Sequence, residues 1–374
     1  MSSEPAHDAV QSLPAVHCAA DYESLARERL PAPLLAHLAG GSGEGATVAE
    51  NRAAYARHAI VPRLLVDVSR GSTRIRLVGR EYAHPFLLAP LAHQRLVHPR
   101  GELATARGAA AADACMVLST LSSFRLEEVA TVADGAKWFQ LYFQSRREDT
   151  LVLVERARNA GYEALVVTLD APVQPPNLAA LRAGFRLPAD VVADHLPAPA
   201  LASGHEGSRV FQGLMARAPT WTDLEWLVSN AGLPVWVKGV LDGDDARRLV
   251  DAGADGLVVS NHGGRALDGA PASLDALPAV RAAVGDDVPL LIDGGIRSGA
   301  DAYKALALGA DAVLVGRLQV YALAVGGALG VAHLLRTLRE ELEVCMSLTG
   351  CATPAEVRRA ARVRPVPDPG LPAC

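Results

Sequence analysis

The stretch LIDGGIRSGADAYKALALGADAVLVGR, residues 291–317, holds two short apolar runs separated by a helical stretch. Each run leads directly into glycine and arginine, as Asp293-Gly294-Gly295-Ile296-Arg297 and as Gly316-Arg317. Runs without polar alternation are what strands covered on both faces of a parallel sheet require. Working outward, equivalent runs recur at Phe86 to Pro90, Met116 to Ser119, Trp138 to Tyr142, Ala164 to Leu169, Pro234 to Lys238 and Gly256 to Ser260. With Val288 to Asp293 and Ala312 to Gly316 the count is eight. Amphipathic stretches such as DTLVLVERARNAG and DGDDARRLVDAG lie between them, each ending in a glycine where a helix can stop. Strand then helix, eight times over, predicts an α/β fold, a (β/α)8 TIM barrel.

The spacing breaks once, between Leu169 and Pro234, where ADVVADHLPAPALASGHEGS is rich in Ala, Pro, Gly and His. Residues 186–215 are therefore expected to form a long loop after the fourth strand, either mobile, or folded over the site as a lid, or a plain disordered insertion. Residues 1–84 are expected to form an N-terminal helical cap, and 335–374 a closing helix with a Pro-rich end. The whole of 1–374 reads as one barrel domain.

Composition excludes several classes of function. Half of the 374 residues are hydrophobic, 21% are charged and the formal net charge is −5, with no Lys/Arg block to act as a footprint for nucleic acid. The five cysteines, Cys18, Cys115, Cys345, Cys351 and Cys374, contain no C-x-x-C pair, so neither a disulfide framework nor a metal site is expected. Glu4, Asp8, Asp21 and Glu23 interrupt the first 30 residues, against a signal peptide. No sequence run reaches the roughly 18 to 20 apolar residues of a membrane span. A cytoplasmic protein without membrane attachment is expected.

In a barrel of this type, polar residues at the C-terminal ends of the strands face the site. After the sixth run comes Ser260-Asn261-His262-Gly263-Gly264-Arg265-Ala266-Leu267-Asp268, with a histidine and an arginine three residues apart. Histidine can take a proton from an alcohol near neutral pH, and arginine can hold a carboxylate through two parallel hydrogen bonds. On spacing alone a structural loop histidine fits equally well. The two glycine–arginine elements after the seventh and eighth runs form a phosphate cradle where barrels commonly place one. No G-x-G-x-x-G turn and no Walker loop is present, so a mononucleotide is the better ligand. Lys238, inside the apolar VWVKGV, requires either an anionic ring beside it or a carboxylate on a neighbouring strand.

These segments together, with WFQLYF (138–143), AENRAAYARHAIVPRLLVDVS (49–69) and APLAHQRLVHPRGE (89–102), resemble the FMN-dependent 2-hydroxy acid oxidases and dehydrogenases, over roughly residues 20–360. The resemblance implies FMN as cofactor, its phosphate held by Asp293, Gly294, Gly295, Ile296, Arg297, Gly316 and Arg317, with Lys238 facing the N1 and C2 edge of the ring. It implies that Pro90, Leu91, Ala92, Ser119, Gln140, Thr168 and Ser260 line the isoalloxazine. His262 would be the catalytic base, Asp170 its carboxylate partner, Arg265 the clamp on the substrate carboxylate and Tyr142 a hydrogen-bond donor to the substrate. A homo-oligomer, tetramer or octamer, is implied as well.

Two positions depart from the family pattern. DAPVQPPNLAALR (170–182) has Asn177 where relatives carry a second arginine clamp, and LLAHLAGG (34–41) has His37 where they carry a tyrosine. With half of the carboxylate grip altered, the expected small-molecule substrate is a 2-hydroxy acid or a bulkier, neutral or carrier-tethered derivative of one. Arg182 or Arg186 could alternatively restore the clamp, and His93 could point into the pocket or simply pack.

Overall fold

The computed structural model describes residues 13–77, 79–196 and 207–366. Eight parallel strands close into a barrel: β1 (Phe86–Leu88), β2 (Met116–Leu118), β3 (Lys137–Leu141), β4 (Leu165–Thr168), β5 (Val235–Val240), β6 (Gly256–Val259), β7 (Leu290–Ile292) and β8 (Ala312–Val315). Each falls on an apolar run of the sequence. The barrel closes where β8 pairs with β1, Val313 opposite Phe86 and Val315 opposite Leu88.

Side chains alternate across the barrel wall, because successive residues of a strand point to opposite faces. Leu87, Val117, Trp138, Val166, Trp236, Val258, Leu291 and Leu314 point inward and fill the interior. Their neighbours in sequence, such as Leu88, Phe139, Leu165, Val259 and Ile292, pack against the surrounding helices. At the N-terminal end of the strands an antiparallel hairpin, Ile75–Leu77 with Arg80–Tyr82, inserts Leu77 and Tyr82 among the interior residues Ala136, Ala164 and Ala312. The barrel is thus sealed below, which leaves the C-terminal end of the strands for a site.

The N-terminal segment is helical over Asp21–Arg29, Ala32–Ala39 and Ala46–Ala56. It also carries a short strand that no apolar run marks in the sequence: His58–Ile60 pairs antiparallel with Val363–Pro365 and joins the two ends of the fold. The closing helix begins much earlier than residue 335. Helical structure runs Arg317–Thr349 directly from β8, interrupted at Gly326 and Gly327, whose backbone angles are non-helical. This helix is long and apolar enough by composition to cross a membrane, yet 61% of its most apolar window is buried in the protein. Its hydropathy is that of a core helix, and the expectation that no segment has the length and hydropathy of a span is corrected accordingly.

Residues 187–196, expected to belong to a mobile loop or lid, are packed down: Val191 and His195 are buried, and Asp194 N–H donates to Ser122 O at 3.0 Å. Residues 209–217 form two short helical turns. The middle of the loop, 197–206, lies outside the described residues.

Candidate active site

The strand ends deliver polar side chains to one cavity. Pro90, Leu91 and Ala92 follow β1, Ser119 follows β2, Gln140 belongs to β3 and Tyr142 follows it, Thr168 ends β4, and Lys238 stands opposite Thr168 in the register of β5. His262, Gly263 and Arg265 reach the cavity from the loop after β6. Asp293, Gly294, Gly295, Ile296 and Arg297 follow β7, and Gly316 and Arg317 follow β8. Ser260 stands behind this wall, accepting a hydrogen bond from Lys238 Nζ at 2.8 Å and another from His262 N–H at 3.0 Å.

His262 Nδ1 lies 2.7 Å from Asp170 Oδ1, which leaves Nε2 as the ring nitrogen not engaged by the carboxylate. Burial alone would raise the pKa of Asp170, but Lys238 and His262 outweigh it and hold the carboxyl below its ordinary value. Asp170 is therefore an anion at neutral pH, suited to orient the imidazole and to stabilise its protonated form. Burial also opposes charge on Lys238, yet Asp293 and Asp170 keep it above the ordinary lysine value. Lys238 Nζ pairs with Asp293 Oδ2 at 3.1 Å, the carboxylate partner that was one of its two expected reasons, and the lysine also lines the cavity. Tyr142 is pushed up to about 12, mainly by burial, and stands as a neutral hydroxyl donor.

The cavity carries more positive charge than its walls neutralise. Arg317 is depressed to about 9 by burial and by repulsion from Arg265 and Arg297, and it donates to main-chain oxygens: Leu38 at 3.0 Å, Gly263 at 2.9 Å and Gly40 at 2.7 Å. Arg265, also lowered by burial, donates to the carbonyls of His37 and Leu38. Arg297 has one carboxylate, Glu23, at 2.8 Å. Half-buried cations gathered around one cavity in this way call for an anion. The positive φ of Gly294 and Gly295, 97° and 82°, turns the loop after β7 tightly, and a side chain at Gly295 would strike the main chain of Asn51. Gln140 Nε2, Thr168 Oγ1 and Asp293 Oδ1 are buried polar atoms without a partner. A phosphate beside the arginines, ring carbonyls for the two donors and a hydroxyl for the Asp293 oxygen would satisfy all of these, so the residues fit FMN.

The acid end of the pocket differs from the expectation. Asn177, expected to line it, is not among the lining residues; its Oδ1 caps the short helix Leu178–Arg182 by accepting Ala180 N–H at 3.0 Å, and its Nδ2 donates to His37 O at 3.3 Å. The start of the helix explains this, since a first helical turn needs a side-chain acceptor and asparagine is a favoured one. Gln174, three residues earlier, lines the cavity instead, and no spacing rule in the segment marks it out. His37 does line the cavity; burial, with Arg265 and His93, lowers it to about 4, so it is neutral, and its ring stacks on Phe185 at 4.2 Å. His93 itself does not line the cavity, and Arg182 is bound to Glu44 at 2.7 Å on the surface rather than turned toward the substrate pocket. Among the described residues no cluster of metal-ligating side chains occurs.

With this geometry in place, comparison with known proteins gives one consistent answer. The family described as FMN-dependent dehydrogenase matches residues 26–364. The L-lactate oxidase of Alicycliphilus denitrificans is 59% identical over 349 residues, covering 92% of this chain and 95% of that protein. The 4-hydroxymandelate oxidase of Amycolatopsis orientalis is 46% identical over 349 residues, covering 91% and 96%. The solved structure of a mandelate oxidase variant with the C4a-OH-FMN adduct superposes with a TM-score of 0.83 at 45% identity, covering 91% of this chain and 98% of that one. The chain belongs to the FMN-dependent dehydrogenases, the flavoenzymes that oxidise 2-hydroxy acids.

Proposed function

We propose that this protein oxidises a small free 2-hydroxy acid to the 2-oxo acid, with His262 as the base. The observation that carries this reading is the 2.7 Å contact of His262 Nδ1 with ionised Asp170, in a wall that also presents Tyr142 and Arg265 to one cavity. A proton leaving the carbinol centre of the substrate is taken by His262 Nε2, and Asp170 stabilises the resulting imidazolium. Arg265, anchored by the carbonyls of His37 and Leu38, holds the carboxylate, and the Tyr142 hydroxyl donates to a substrate oxygen. FMN, when bound, would take up the two electrons and the second proton that leave the substrate in this oxidation. Lys238, kept cationic by Asp293 and Asp170, favours the added negative charge. Gly294, Gly295, Ile296, Arg297, Gly316 and Arg317 would hold the phosphate end, while Asp293, an acceptor already paired with Lys238, would accept from a hydroxyl of the same cofactor.

One observation favours a second reading, in which the acid is masked as an amide or a carrier thioester: Asn177 is turned away as a helix cap, and uncharged Gln174 and neutral His37 line the cavity with Arg265. Anaerobic mixing of the yellow protein with lactate, glycolate and mandelate, and with their amides and thioesters, tests both. Bleaching of the flavin by the free acids supports the first reading, bleaching only by the masked forms supports the second, and no bleaching by any of them refutes both.

We further propose that copies of the chain associate through the face where Arg63 N–H bonds Leu348 O and where Leu64, Leu65, Val344 and Leu348 are exposed. Sedimentation of the purified protein as a monomer at micromolar concentration would refute this. The free thiols Cys18, Cys115, Cys345 and Cys351 support a cytoplasmic setting, which fractionation of the native host tests.

A further inference from the structure

The helix Ala46–Ala56 lies between the loop after β6 and the loop after β7. Asn51 on this helix and Asn261 in the loop after β6 are both buried, at 2% exposure each, and they face each other as a reciprocal amide pair. Each Nδ2 donates to the other's Oδ1 at 2.8 Å. Asn261 Oδ1 also accepts Gly264 N–H at 3.1 Å, and its Nδ2 also donates to Pro271 O at 2.9 Å. Asn51 Oδ1 accepts Ser273 N–H at 3.3 Å. An amide presents one donor group and one acceptor, so two amides satisfy each other in a way that neither a carboxylate nor an apolar side chain can replace.

This pair supports an unusual backbone. His262, Gly263 and Gly264 are consecutive left-handed residues with φ of 59°, 62° and 79°. Glycine adopts this conformation freely, but histidine does so only where the surroundings over-determine it. The cap segment supplies those surroundings. Ser42 N–H donates to Gly264 O at 2.8 Å, and Asp268 accepts the N–H groups of Glu44, Gly45 and Thr47 at 3.0, 3.1 and 2.9 Å. On its other side the same helix touches the phosphate loop: the main chain of Asn51 occupies the space a side chain at Gly295 would need, and Arg52 donates to Gly295 O and to Asp301 at 3.0 Å.

We propose that Asn51 is a positioning residue for His262: paired with Asn261, it locks the left-handed turn that carries the base and fixes that turn against the phosphate loop. This rests on the reading of His262 as the base. The amide pair acts through Asn261 and Gly264, and neither Asn51 nor Asn261 lines the cavity. It joins residues 210 positions apart, so the N-terminal cap is a working part of the site rather than a cover.

The test uses the FMN-loaded protein and the variants Asn51→Ala, Asn261→Ala, the double variant, and the milder Asn51→Asp, which keeps the acceptor and loses the donation to Asn261 Oδ1. The first readout is hydrogen exchange. Peptides covering 261–268 are expected to exchange at least tenfold faster in Asn51→Ala, with strands such as 235–240 unchanged and FMN still bound. The second is flavin reduction, expected to slow at least tenfold at saturating substrate with less than a threefold change in half-saturation. The double variant should be no slower than the slower single variant, as two halves of one interaction require. Should Asn51→Ala fail to fold, Asn51→Asp reads the same quantities. Unchanged exchange at 261–268, or additive effects in the double variant, overturns the inference. Failure of the enzymatic reading would instead show as no flavin bleaching in the wild type, with the exchange result intact.

Discussion

Asp170 and His262 meet at 2.7 Å although they come from the ends of different strands, β4 and β6, and are 92 residues apart in the chain. The contact distinguishes the two ring nitrogens, Nδ1 held by the carboxylate and Nε2 the one proposed to act on the substrate. Replacing His262 by alanine should leave FMN bound and slow flavin reduction by about 10²-fold to 10⁴-fold, the usual contribution of a positioned acid or base. Asp170→Asn should also slow reduction while retaining the flavin, because an amide cannot stabilise the imidazolium. Anaerobic stopped-flow absorbance measures both, and wild-type rates in either variant would exclude the assigned role.

The cationic end of the cavity predicts cofactor affinity. Arg297→Ala and Arg317→Ala should each weaken FMN binding by about tenfold to a hundredfold, as expected for loss of a charge-assisted hydrogen bond of about 1.5–3 kcal/mol. Titration of the apoprotein by flavin fluorescence checks this. Arg317→Ala should have the additional effect of loosening Leu38 and Gly40, whose carbonyls it holds, and so lower the melting temperature of the apoprotein more than Arg297→Ala does.

The pocket's acid end can be re-engineered, with a structural cost that the cap geometry predicts. Asn177→Arg together with His37→Tyr should shift the ratio of reduction efficiencies toward lactate or glycolate and away from their amides by about tenfold or more. Loss of the Asn177 cap should destabilise the protein by about 1 kcal/mol. A ratio that does not move would show that Gln174 and Arg265 already complete the recognition of the acid.

Two histidines make stability depend on pH. Burial, followed by nearby charges, lowers His37 and His195 from 6.5 to about 4 in the folded protein. Between those values the unfolded chain binds protons that the folded chain does not, so stability rises with pH across this window and falls as pH drops from 6.5 to 4. Below about 4 both states are protonated and the dependence levels off. Thermal melts at about pH 7 and about pH 4.5 should show a smaller loss in a His37→Phe/His195→Phe variant than in the wild type, and equal losses would refute this origin.

The barrel is legible in the sequence because its information is local. A strand buried on both faces must be apolar throughout, so the eight runs can be placed without a structure, and barrel topology then puts Lys238, His262, Asp293 and Arg317 at one rim. Glycine beside arginine after β7 and β8 points to a phosphate for the same reason: the loop chemistry is contiguous in the chain.

What tertiary structure alone decided is every feature that depends on which distant groups share a desolvated space. Asn177 stands where the family resemblance implies a substrate contact, but the start of the following helix takes its side chain. His37 is neutral because burial, followed by Arg265 and His93, disfavours its charged form, which no spacing rule reports. Arg317 braces three main-chain carbonyls of the cap and the catalytic loop as well as facing the cavity. Asn51 meets Asn261 across 210 residues, a pairing with no periodicity to betray it. Sequence patterns thus determined the scaffold and the types of reactive group, since both follow from short-range periodicity and strand-end position; orientation, charge state and mutual support of those groups arise from long-range packing and the exclusion of water, which exist only once the chain has closed on itself.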